Sequence, residues 1–168
     1  MKTILALLFA MLLFACNQKS TTSDIEKSKQ QIEALLDTLN ATAARADFNA
    51  YFNCYTDDAV FMGTDATERW NKKEFMQWSK PFFENGKAWK FTSLQRNLYF
   101  DGTGNFAWFD ELLNTQMKIC RGSGVVSKQG NDWKLKQYVL SITIPNALID
   151  TIVPMKISED SIINRLKK

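Results

Sequence analysis

The chain predicts an α+β fold in which a curved antiparallel sheet forms a cone around helices from the N-terminal half. Two observations carry this. Apolar residues recur at helical spacing as far as about residue 84, then with a period of two from about residue 88 to Pro145. The alternating part is divided by short Gly- and Asp-containing turns, so its strands join as a meander. Its apolar face switches between Phe91 and Leu94, which marks a bulge that would bend the sheet.

The elements follow in order. Ser23 with Glu26 forms a capping box, and from it a helix carries Ile25, Ile32, Leu35, Leu36, Leu39 and Ala43 on one stripe. Asp47 caps a second, short helix bearing Phe48, Tyr51, Phe52 and Tyr55. "AVFMG" (59–63) is a short apolar strand. Asn71 with Glu74 opens a third helix with Phe75, Trp78 and Phe82; Pro81 is expected to kink it and Gly86 to end it. Strands are expected at 88–100, 105–116, 120–128 and 133–144, with turns at "DGTG" and "QGND". In the tail from about 146, Ile149, Ile152, Val153, Ile162, Ile163 and Leu166 predict a segment that folds back partly as helix. Ser158 would cap its last turns, and Arg165, Lys167 and Lys168 suit a helix C-terminus.

Composition narrows the function. A chain of 168 residues with 45% hydrophobic and 23% charged residues is a globular domain with a real core, and no internal repeat or second domain is visible. Its 21 basic and 18 acidic residues are balanced and scattered, which excludes nucleic acid as a partner. Five Trp and 12 Phe exceed ordinary use and supply both core and the walls of an apolar pocket. The chain has no histidine, so proton transfer at neutral pH lacks its usual carrier.

Residues 1–15, "MKTILALLFAMLLFA", have a basic start and an apolar run too short to span a bilayer of about 30 Å, as in a secretory signal. Leu13-Phe14-Ala15-Cys16 resembles a bacterial lipobox, which implies cleavage before Cys16 and lipid attachment there; an ordinary signal peptide with a chance cysteine is the other reading. Residues 16–23 are a polar, flexible tether. The protein is thus expected to be exported and anchored in the bacterial cell envelope, its domain facing the periplasm or cell surface. In that compartment Cys54 and Cys120 either pair or remain two buried thiols; their apolar neighbours favour thiols.

The order of elements, with "YTDDAVFMGTD", "AWFDE", "CRGSG" and "WKLKQYVLS", resembles the SnoaL-like branch of the nuclear transport factor 2-like superfamily over residues 26–145. The resemblance implies one cone-shaped domain over 24–168, counting the tail, and dimerisation through the sheet face. It leaves function open, since such domains include cyclases, isomerases, dehydratases, epoxide hydrolases and pure binding modules. Relatives often carry polar residues, His especially, on the pocket-facing positions of the last strand. Here those positions, Trp133, Leu135, Gln137, Val139 and Ser141, are mostly apolar or uncharged, which counts against acid–base catalysis.

The residues expected to line the pocket are Tyr55, Phe61, Trp70, Trp78, Phe82, Trp108, Ser123, Gln137 and Tyr138. Asp110 and Glu111 are neighbours on a strand and face opposite ways: Trp108 goes with Asp110, Phe109 with Glu111. Arg121 and Ser123 lie on the next strand, within reach of either acid. One reading is a structural ion pair beside the pocket. The other is a catalytic Asp110–Arg121 pair inside it, with desolvation readying Asp110 as a base, as an epoxide-hydrolase-like relative would arrange it. The balance favours architecture. Asp57 and Asp58 are expected to end a helix and shape a turn, while Asp65 and Glu68 border the pocket mouth. With no His and with thiols among apolar neighbours, no metal is expected. Neither a phosphate-cradling Gly loop nor a dinucleotide fingerprint occurs, so no cofactor is expected, and Ser123 has no visible base. The function expected is binding of a small, largely apolar ligand or a partner protein; the alternative is a hydrolase, dehydratase or isomerase using Asp110 with Arg121.

Overall fold

The computed structural model describes residues 22–167, so Cys16 and the signal segment lie outside the described residues. Helix α1 (Thr22–Ala44) has 23 residues and buries Ile32, Leu36, Leu39 and Ala43 on one stripe. Ile25 stays exposed near its start. Helix α2 (Phe48–Asn53) begins where the Asp47 carboxylate accepts the Ala50 N–H at 3.1 Å. Helix α3 (Lys72–Glu84) opens on the expected capping box, with Asn71 accepting the Glu74 N–H at 3.0 Å and Glu74 accepting the Asn71 N–H at 2.9 Å. Pro81 sits inside it without ending it, and Gly86, at φ 64°, follows its end.

Strands β1 (Tyr55–Met62), β2 (Arg69–Asn71), β3 (Thr92–Phe100), β4 (Phe106–Thr115), β5 (Lys118–Gln129) and β6 (Asp132–Ile142) form one six-stranded sheet in the order β2-β1-β6-β5-β4-β3. The sheet is mixed, because β1 runs parallel to β6 while every other pair is antiparallel. The register of β3 shifts between Ser93 and Gln95, at the bulge expected after Phe91. The inner face of the curved sheet closes on the three helices, and the core lies between them.

Several details differ from the sequence reading. β1 begins at Tyr55, so Asp57 and Asp58 belong to a strand and not to a turn; Lys72 pairs with Asp57 at 3.0 Å, and Lys136 pairs with Asp58. At three residues, β2 is too short to show alternation. β3 starts at Thr92, since 88–91 has no strand pairing. The tail forms helices α4 (Ile149–Met155) and α5 (Glu159–Leu166), but buries no residue, and the Ser158 side chain makes no capping bond. Cys54 and Cys120 are free, buried thiols, and burial pushes Cys54 up to about 11. No helix among the described residues is long and apolar enough to cross a membrane.

Candidate functional site

The helices and the inner sheet face line a cavity of about 150 Å³ that is partly open to solvent. Each wall comes from a different element. α1 gives Leu39 and Asn40, α2 gives Tyr51, and α3 gives Phe75 and Trp78, with Trp89 and Phe91 just beyond it. β1 and β2 give Phe61 and Trp70, the β4–β5 turn gives Gln116 and Met117, and β6 gives Tyr138 and Leu140. Many of the rings lie nearly parallel. Phe61 and Phe75 stack at 4.0 Å and 8°, Phe61 and Tyr138 at 5.9 Å and 4°, and Trp70 and Trp78 at 4.7 Å and 28°. A volume near 150 Å³ admits a body about the size of benzene. A larger ligand would therefore extend through the mouth.

Behind this wall lies a polar cluster. Glu111, only 1% exposed, points inward from β4. Its Oε1 accepts the Tyr138 hydroxyl at 2.9 Å, and its Oε2 lies 3.0 Å from both Nε and Nη2 of Arg96 on β3. The other Arg96 nitrogen, Nη1, reaches Asp37 at 3.0 Å and the Glu33 carbonyl at 3.3 Å, tying sheet to α1. Gly122 makes the arrangement possible. A Cβ there would collide with the Tyr138 hydroxyl and stand 3.0 Å from Glu111 Cγ, so "GSG" is a packing device on the inner face. A second phenol pair, Tyr51 and Tyr55, shares a hydrogen bond of 2.9 Å. Burial raises the pKa of Tyr51, Tyr55 and Tyr138, with the Glu111 charge adding to the effect at Tyr138.

The expected site residues separate accordingly. Phe61, Trp70, Trp78 and Tyr138 line the cavity. Tyr55 is buried behind Tyr51, and Phe82 packs against Trp78 at 5.1 Å while remaining exposed. Trp108, Ser123 and Gln137 lie on the outer face of the sheet, where Trp108 is 47% exposed and stacks on Tyr99. For Gln137 the reason is the register shift between β5 and β6 at Val125/Val126. It inserts Lys136 and reverses the alternation, so Tyr138 and Leu140 turn inward while Gln137, Val139 and Ser141 turn outward.

The Asp110–Arg121 pair is not formed. The Asp110 carboxylate accepts from Asn97 at 3.1 Å and Tyr99 at 3.2 Å on the outer face. Arg121 stands opposite Leu112 and Ser141, exposed, with no carboxylate at ion-pair distance among the described residues. The alternation that put Phe109 and Glu111 on one face made Glu111 the inward acid. Its actual partner, Arg96, was hidden by the bulge of β3, which shifts the face of every residue beyond it. No group of three or more potential metal ligands occurs among the described residues.

Together these features define a cone-shaped α+β domain with an aromatic interior cavity. The family model of the SnoaL-like domain matches residues 32–145, and the chain belongs to that family. No curated protein matches it. Among solved structures it is similar to an NTF2-like protein of unknown function from Pseudomonas putida, with 15% identity and a TM-score of 0.60 over 77% of this chain and 92% of that one. A protein with a cystatin-like fold from Caulobacter vibrioides gives a TM-score of 0.63 at 11% identity, covering 77% and 99% of the two chains. A domain of unknown function with a cystatin-like fold from Nostoc punctiforme gives 0.62 at 13% identity, covering 87% and 95%. At these identities the likeness is one of fold.

Proposed function

We propose that the domain binds a small, largely apolar organic molecule in the aromatic cavity and works as a binding module. The observation that carries this reading is the cavity itself: about 150 Å³, walled mainly by aromatic and aliphatic side chains with a few polar groups. Catalysis by proton transfer finds little support in the same place. The Tyr138 hydroxyl already donates to Glu111, and its raised pKa keeps its proton in place through neutral pH. Glu111 is sealed behind it by Arg96, and Asp110 and Arg121 lie on the opposite face of the sheet.

The module is proposed to be a lipoprotein of the bacterial cell envelope, tethered through Cys16, because the N-terminal sequence has the signal and lipobox pattern. A second copy of the chain is the proposed partner across the outer sheet face, where Phe106, Trp108 and Ile119 are exposed. Thermal melting with a panel of small single-ring and trimethylammonium compounds tests the binding role. A compound at 100 times its Kd stabilises by about 2.7 kcal/mol, so at least one should raise the melting temperature in the wild type and not in Phe61→Ala. A panel without effect overturns the reading. For the anchor, Cys16→Ser should move the protein from the membrane to the soluble fraction; unchanged partitioning overturns it.

A further inference from the structure

We infer that the cavity selects a small organic cation, an alkylated ammonium whose apolar body enters between the rings; this rests on the binding role proposed above. Among the described residues whose side chains line the cavity, Glu68 alone is charged, and none is basic. An anion would therefore meet a carboxylate and the electron-rich faces of aromatic rings, with no positive partner among the lining side chains. Trp70, Trp78 and Trp89 line the same cavity, and indole is the best of the side chains for holding a cation over its face.

Glu68 is fixed at the mouth by its loop. The Gly63 N–H donates to the Glu68 carbonyl at 2.9 Å, and the Glu68 N–H donates to the Asp65 carbonyl at 3.0 Å. The Asp65 N–H then donates to Glu68 Oε2 at 3.2 Å, and a Cβ on residue 63 would occupy the space of that oxygen. The carboxylate is half-buried and in place before any ligand arrives. A neutral body closing the mouth would strip water from this charge without replacing it, whereas a cation supplies the missing partner. Charge, ring composition and size agree: a trimethylammonium head on a short chain suits a cavity of about 150 Å³.

Three soluble probes of nearly equal shape separate charge from shape: choline, the neutral 3,3-dimethylbutan-1-ol, and the anion 3,3-dimethylbutanoate. Binding is read from tryptophan fluorescence and from indole N–H resonances of the full chain. Choline should bind about tenfold or more tighter than the alcohol, and the anion more weakly than either. Added sodium chloride should weaken choline binding and leave the alcohol unchanged. Glu68→Gln should bring choline to within about twofold of the alcohol while the alcohol keeps its wild-type affinity. Equal binding of choline and alcohol in the wild type, without salt dependence, overturns the cation inference and leaves the binding role standing. If none of the three perturbs Trp70, Trp78 or Trp89, the cation inference fails, and the binding role is then decided by the single-ring compounds.

Discussion

Replacing Arg96 with Met removes the cation that faces the buried carboxylate of Glu111. Two of its nitrogens lie 3.0 Å from Glu111 Oε2, and the carboxylate is 1% exposed. In the variant the Tyr138 hydroxyl alone, among the described residues, would remain to hold that charge. Truncating one member of a buried pair costs about 3–5 kcal/mol, because the other charge is left desolvated and unpaired. The bonds from Arg96 to Asp37 and the Glu33 carbonyl sit nearer solvent and add at most about 1 kcal/mol. A loss near 4 kcal/mol lowers the melting temperature of a chain this size by about 8–16 °C. Arg121→Met is the control: it changes an exposed side chain without an acidic partner and should stay within about 0.5 kcal/mol. Calorimetry or thermal melting by circular dichroism reads both. The double variant Arg96→Met/Glu111→Leu should recover most of the loss, since it removes the stranded charge as well. A single variant that melts with the wild type, or a double variant no better than the single, would refute the reasoning.

Gly122→Ala puts a methyl group where the Tyr138 hydroxyl lies, so either the ring shifts or its bond to Glu111 breaks. The urea midpoint should fall by the equivalent of about 1–3 kcal/mol, and an unchanged midpoint would show that the inner face has slack there. Alkaline pH tests the phenols. Tyr51, Tyr55 and Tyr138 have pKa values raised above the ordinary 10.0 by burial, so the folded chain keeps protons that the unfolded chain releases. Stability is therefore full below pH 10 and declines as pH rises beyond it. Ultraviolet titration should show Tyr99, the exposed phenol, ionising reversibly and the other three only as the chain unfolds; four tyrosines ionising together in the folded state would contradict this.

Periodicity made most of the fold legible, because each helix and strand of ordinary length buries one regular face. The stripe of α1 and the alternation of β4 read directly, and the caps at Asp47 and Asn71 are local chemistry that needs no tertiary context. The site was only half legible. Phe61, Trp70, Trp78 and Tyr138 were found as aromatics near the strand ends and the third helix. Trp108, Ser123 and Gln137 were misplaced because large or polar residues on a strand can serve either face. A bulge at Lys136 reverses that choice with no mark in composition. Arg96 escaped for the same reason, lying one residue beyond the shifted register of β3. The tail misled differently: its apolar residues suggested burial, yet they remain at the surface of short helices.

Indole N–H resonances in a nitrogen-15-labelled sample give the most direct test of the binding role. The five Trp divide by place: Trp70, Trp78 and Trp89 line the cavity, Trp108 stands on the outer sheet face, and Trp133 is buried away from it. Titration with small single-ring and trimethylammonium compounds should shift the first three together, saturably, and leave Trp108 in place. Shifts confined to Trp108, or no saturable shift at any of the three cavity indoles, would contradict the account.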